Sequence, residues 1–389
     1  MTTMSEIWER LVAGVNLDDN SLDAAVRITA EYEPVGGWGE KLSPPTYPVD
    51  SNPDKIPYLV ETRFHDGEPE RTVMLDSRQS QANRCEEALQ AAIDAGRTFL
   101  PHLALTVTSH GRTHRITSLT APHRSRDAYF RDSTASDGTP FDSTVVGSAL
   151  KSVEPSDATA LLQNSPTDLV YGVWDSHRSL RLATRFPRIY TSETIGHEVE
   201  LGRRAAGRSD LIVSGAQRVR RSGDSWVLVD GKDTKGTNKL SELGHGSIPP
   251  SFTAGGGVSV TRVSRTATVG FAGLARIRFA VLPEPAARAA RGLLAAVALA
   301  GDRLAFGRPG LFLRSGCELA LLGETLTWVG TGDALTLTRA DALALLQLAV
   351  DQVREVGIDW PTEAVSLVPG TELQKAVDRA FYTQPAEDE

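Results

Sequence analysis

Residues 24–33, AAVRITAEYE, alternate Val26, Ile28, Ala30 and Tyr32 with Arg27, Thr29, Glu31 and Glu33. Such a period of two requires a strand with one face in a core and the other in water. Two hairpins are predicted nearby, 58–64 with 71–75 around His65-Asp66-Gly67-Glu68, and 103–108 with 113–117 around His110-Gly111. The spacing then changes: Ala82, Cys85, Leu89, Ala92 and Ile93 predict a helix over 78–95, with Asp76-Ser77 before it as a cap. A short helix is expected at 4–15, and two amphipathic helices at 284–304 and 339–356 bracket strand-like 319–322 and 326–329. Residues 168–174 (DLVYGVW), 258–263 and 275–281 read as strands, and Gly255-Gly256-Gly257 as a turn. Helices and hairpins intermix without a β-α-β rhythm, which predicts an α+β sheet with insertions rather than a doubly wound parallel sheet.

The 389 residues suffice for one core with large insertions or two modest domains. The longest apolar run, Leu293 to Ala300, is too short to span a bilayer, which takes about 20 residues. The N-terminus has acids and a Trp where a signal peptide needs bases, so a soluble, cytoplasmic protein with no membrane partner is expected. Cys85 and Cys317 have no Cys or His at ligand spacing and read as core residues. The net charge of −8 argues against a nucleic-acid partner, but the charge is segregated. Residues 176–222 carry ten arginines against four acids, 251–283 carry Arg262, Arg265, Arg276 and Arg278 with no acid, and 284–389 carry fifteen acids against nine bases. Arginine pairs bidentately with phosphate and stacks on bases. The same excess also arises from a GC-rich genome or a solvated face, so charge balance leaves both readings open.

No phosphate-binding loop, nucleophile elbow, HExxH or dinucleotide fingerprint occurs. His110 and His114 fall on a turn rather than on one helix face, and no carboxylate cluster suits two magnesium ions, so neither a metal nor a cofactor is expected. His123, between Pro122 and Arg124 with Arg126 beyond, is the best candidate base, with the arginines to hold a phosphate. Asp127 is its only titratable neighbour, which favours binding over catalysis. For RNA the pieces are arginines, the aromatic faces of Tyr171, Trp174, Phe186 and Tyr190, and the polar start of the helix at Ser77.

Five stretches in order, RITAEYEPVGGWGEKLSPPTYP, LDSRQSQANRCEEAL, ITSLTAPHRSRDAYFRDS, DLVYGVWDSH and ELGHGSIPPSFTAGGGVSV, resemble the RAMP-superfamily backbone subunit of type I-G (formerly I-U) CRISPR Cascade effector complexes. The resemblance implies a modified RRM-like (ferredoxin-like) palm with an inserted helical region and a β-hairpin thumb. The divisions expected are 1–118 for the first part of the palm, 119–165 for the helical insertion, 166–214 for palm with basic loops, 215–257 for the thumb, and 258–389 for the rest of the palm and the C-terminal helices. It implies a non-catalytic role in antiviral defence: several copies stack along a guide RNA and present it to target DNA, beside other Cascade subunits. The implied RNA contacts are Ser77, Gln79, Ser80, Gln81, Asn83 and Arg84 at the helix start, and His123, Arg124 and Arg126 as a second phosphate site. Arg185, Arg203, Arg204, Arg218 and Arg220 would supply general attraction, and His245 and Ile248 in HGSIPP a wedge between nucleotides. The alternative is a metal-independent endoribonuclease of the same superfamily that cuts repeat RNA through His123.

Overall fold

The computed structural model describes residues 3–48, 56–175, 185–213, 215–223, 225–229 and 235–381. The alternating segment forms strand β1 (Ala25–Pro34), with Val26, Ile28, Ala30 and Tyr32 buried and Arg27, Thr29 and Glu31 exposed. It is the centre of an antiparallel sheet with β2 (Val60–His65), β3 (Glu68–Asp76), β4 (Tyr190–His197), β5 (Arg262–Gly270), β6 (Gly310–Arg314) and β7 (Cys317–Val329). The order is β6-β7-β1-β5-β4-β3-β2, with Ala334–Leu335 added on β7. This is the α+β architecture expected, and it is consistent with an RRM-like palm.

Helices α1 (Met4–Val15), α2 (Arg78–Asp94), α3 (Glu284–Phe306) and α4 (Arg339–Glu355) form the core with this sheet. Helix α3, expected to be amphipathic, packs against the other three and is buried on nearly all sides, Arg291, Asp302 and Arg303 included. Its glycines permit this: a Cβ on Gly292 would lie 2.9 Å from the Trp8 ring, and one on Gly301 would overlap the Tyr171 hydroxyl. The opposite face of the sheet is open and polar. There Thr29 and Thr325 hydroxyls meet at 2.7 Å and those of Thr191 and Thr268 at 2.8 Å.

A buried ionic cluster joins sheet to helix. Arg265 on β5 pairs with Asp302 on α3, donates to the Tyr190 hydroxyl (2.8 Å) and the Gln81 carbonyl (3.0 Å), and lies 3.7 Å over the Phe306 ring. Burial works against the Asp302 charge, yet Arg265 and Arg303 hold its carboxyl below the usual range. Arg265 is therefore a core cation with its counter-charge in the acid-rich C-terminal region, not part of a basic surface.

Three sequence expectations change. Residues 166–171 are a buried helix, Pro166–Tyr171, and only Val173–Trp174 is extended. A short buried apolar run has no periodicity to separate the two, and Pro166 at the first helical turn decides it. Instead of a strand over 275–281 there is the helix Phe271–Ala275 followed by irregular chain. The expected strand 258–263 is broken by a turn between Ile248–Ser259 and β5, and the triple glycine lies inside Ile248–Ser259. A Cβ at Gly256 would sit 2.0 Å from the Arg203 backbone, so these glycines let two strands cross at an irregular register.

Candidate nucleic-acid interface

An arm leaves the sheet after β4. Its strands Glu200–Arg208 and Ile248–Ser259 pair antiparallel, with Arg203 opposite Ala254, Arg204 opposite Thr253 and Arg208 opposite Ile248. Beyond them lies a small sheet of Arg218–Ser222, Ser225–Leu228 and Asn238–Lys239; its buried Val219, and Leu240 in the helical turn that follows, stand outside the main core. The hairpin expected at 215–257 is thus the outer part and return strand of an arm that starts at Glu200. Arg203, Arg204 and Arg208 are exposed and make no ion pair among the described residues. Arg218 is half-buried and donates to the Thr237 hydroxyl at 3.2 Å, while Arg220 is exposed. Arg178 and Arg181, counted in the basic segment, lie outside the described residues.

At the bend of the arm, sequence reasoning missed Asp210. Its carboxylate accepts from the amides of Ile212 (2.9 Å), Val213 (3.0 Å) and Gly246 (2.8 Å), and these backbone donors pull its pKa down to about 2. The contact pins the turn to the HGSIPP segment, and leaves Leu211 and Ile212 more than nine-tenths exposed. An Asp two residues before free amides is the sequence signal for this turn. His245 is exposed and packs edge-on to Trp226 at 5.9 Å, and Ile248 is 60 % exposed.

The polar start of α2 divides in two. Ser77 caps the helix by accepting from Ser80, and Gln79 and Asn83 face solvent. Gln81 is fully buried, bonded to Asp76, Thr194, Ser192 and Arg265, so its side chain is not available to RNA. Arg84 pairs with buried Asp76 at 2.9 Å and donates to the carbonyls of Phe312 and Leu313. Asp76, a cap by sequence, is in the structure the buried partner of Arg84, Arg314 and Gln81.

The second expected phosphate site also has internal duties. Arg124 adopts a left-handed backbone (φ +54°) and grips Glu86 with two 2.6 Å bonds, while Nη1 donates to the Gly172 carbonyl. Burial pushes the Glu86 carboxyl up to about 7 against the pull of Arg124. Arg126, with its side chain 3 % exposed, donates to the Leu150 carbonyl and sits 3.6 Å from Asp175. His123 is exposed; Asp127 accepts from its backbone amide and from that of Tyr129, not from the imidazole.

These residues nevertheless gather at one place. A cleft of about 630 Å3 is lined by Arg78, His123, Arg124, Arg126, Trp174, Arg185 and Arg188, among others. Arg78 is bonded to Glu193 at 3.2 Å. Trp174 and Arg185 face each other across a two-residue ladder with the guanidinium 6.0 Å from the ring, and Trp174 is 60 % exposed. Thr191 leads from the cleft onto the open sheet face, where it pairs with Thr268 and, through that strand, reaches Arg27.

Residues 26–201, which hold β1 through the start of the arm and every wall of this cleft, match the family model described as CRISPR-associated protein GSU0053. Over this stretch the chain is similar to a CRISPR-associated family. The match agrees with the resemblance to a Cascade backbone subunit and supports a role in CRISPR defence. No curated protein matches it. Among the described residues, no helix is long and apolar enough to cross a membrane, and no three metal-ligating side chains come together.

Proposed function

We propose that this chain is a non-catalytic backbone subunit of a type I-G Cascade complex. It holds guide RNA by its phosphates and, with further copies of itself and other subunits, presents the RNA for pairing with target DNA. The observation that carries this reading is the row of exposed arginines, Arg203, Arg204 and Arg208, on an arm outside the core, without carboxylate partners among the described residues of a chain of net charge −8. Cations kept free of acids suit a polyanion, and phosphate contacts hold RNA irrespective of sequence. Recognition of the target is then left to base pairing, as in other RNA-guided systems.

The His123 imidazole has no hydrogen-bonded carboxylate among the described residues, which supports binding over cleavage. The arm's apolar end, Leu211, Ile212 and Ile248, suits insertion between nucleotides or contact with a neighbouring copy. The test is to express the chain with its partner subunits and a CRISPR array and analyse the purified complex. A single small RNA of defined length, released with a steep salt dependence, supports the proposal; a complex that assembles free of RNA overturns it.

A further inference from the structure

Five arginines line the cleft beside His123, and they are not equivalent. Arg78, Arg124 and Arg126 are matched by Glu193, Glu86 and Asp175. Arg185 and Arg188 have no carboxylate within ion-pair distance among the described residues. Arg188 is half-buried, and among the described residues its side chain makes one hydrogen bond, from Nε to the Tyr171 carbonyl at 3.2 Å, with no partner there for either terminal nitrogen. Burial and then the nearby Arg124 lower its pKa, so its charge is held at a cost that an arriving anion would relieve.

The backbone is shaped around this side chain. Gly172 ends the helix Pro166–Tyr171 with φ +86°, and a Cβ there would lie 3.0 Å from Arg188 Cγ and 3.1 Å from its amide nitrogen. Beside it stands Trp174, a large aromatic face left mostly in water. A core role does not account for that exposure, because its ladder neighbours Val173 and Phe186 are buried and Trp174 alone turns outward with Arg185.

We propose that this cleft holds one nucleotide of single-stranded RNA, its phosphodiester on Arg188 and Arg185 and its base stacked on Trp174. The volume falls in the range of roughly 300–1,000 Å3 typical of small-ligand sites, and an exposed aromatic with adjacent arginines is the arrangement that takes an unpaired base. The inference rests on the guide-RNA reading and adds to it a stacking site and a specific phosphate anchor outside the arm.

The test uses the full chain in its co-purified complex, with single-stranded RNA carrying 4-thiouridine for crosslinking and the same RNA unlabelled for affinity. The expected crosslink is on Trp174. Trp174→Ala removes it and weakens binding about tenfold, within the ~1–3 kcal/mol of a base–aromatic stack, and Trp174→Phe restores most of the affinity. Arg188→Ala lowers the salt slope by about 0.7, the value for one single-strand phosphate contact. Arg185→Ala, on an exposed side chain, gives the same sign without touching the Tyr171 carbonyl, so a folding defect in the Arg188 variant does not hide the effect. Wild-type affinity and slope in the Trp174→Ala and Arg185→Ala variants overturn the cleft assignment and leave the guide reading standing. Equal occupancy by adenosine monophosphate overturns the strand and leaves a mononucleotide site. A wild-type complex that holds no RNA overturns both proposals.

Discussion

Arg124 is the position at which sequence and structure assign opposite jobs, and replacing it with Ala separates them. The motif APHRSRD presents it as a phosphate ligand, whereas the structure places its guanidinium on Glu86, of which only 2 % of the side chain is exposed. Removing one partner of a buried pair strands the other, at about 3–5 kcal/mol. With roughly 2.1 cal/mol/K of unfolding entropy per residue, a cooperative domain of this size loses about 4–6 °C in Tm. The penalty depends on pH. Glu86 titrates near 7 when folded and near its ordinary carboxylate value when unfolded, so the folded state binds the extra proton between them. Stability from this group is complete below the unfolded value and is lost as pH rises through the folded one. Without Arg124 the folded pKa climbs further, so Arg124→Ala is hurt more at pH 8 than at pH 5. Differential scanning calorimetry at the two pH values, together with the salt slope of RNA binding, is the assay. A variant with wild-type Tm and an RNA salt slope reduced by about 0.7 would show that Arg124 is a phosphate ligand after all and refute the reasoning.

Further predictions address the arm, the turn and the histidine. Replacing Arg203, Arg204 and Arg208 together with Ala should leave Tm within about 1 °C, since none is buried and none forms an ion pair among the described residues, and reduce the salt slope of guide retention by roughly 2; an unchanged slope removes the arm from the interface. Asp210→Ala should speed hydrogen exchange at the amides of Ile212, Val213 and Gly246 without lowering Tm. Because the folded pKa of Asp210 is depressed to about 2, the turn's contribution in the wild type persists above the ordinary carboxylate value and is lost as pH falls through about 2. Protection that stays the same in the variant means the carboxylate does not hold the turn. His123→Ala should leave repeat RNA as intact as the wild type does in chelator; specific cleavage by the wild type that the variant abolishes would establish the nuclease.

Elements with a clean period were legible. The β1 alternation, the caps and stripe of α2, the long C-terminal helices and the hairpins at His65-Asp66-Gly67 and His110-Gly111 appear close to where periodicity puts them, with Asp66 and His110 in the left-handed conformation that such turns require. Pro166–Tyr171 was not legible, because all six residues are buried, Thr167 and Asp168 included, and no exposed face marks the helix. The site failed for a different reason. Counting charges treats every arginine as available, while whether Arg124, Arg126 or Arg265 faces a phosphate or a buried acid depends on partners far away in sequence, such as Asp302 for Arg265. One clue was readable: Glu86 lies four residues after Ala82 and three before Leu89, on the apolar face of α2, where an acid needs a cation. The close approach of Gly172 to Arg188, and the lack of a carboxylate partner for Arg188 among the described residues, emerge only from the folded chain.

The most direct test of the central claim is the salt dependence of guide retention by the purified complex, read as RNA remaining per copy of this chain across a salt series. One bound small RNA of defined length is expected, its apparent affinity falling linearly on a log–log plot with a slope that shrinks when Arg203, Arg204 and Arg208 are removed. Retention that is independent of salt, or unaffected by removal of those arginines and of Trp174 and Arg185, would contradict it.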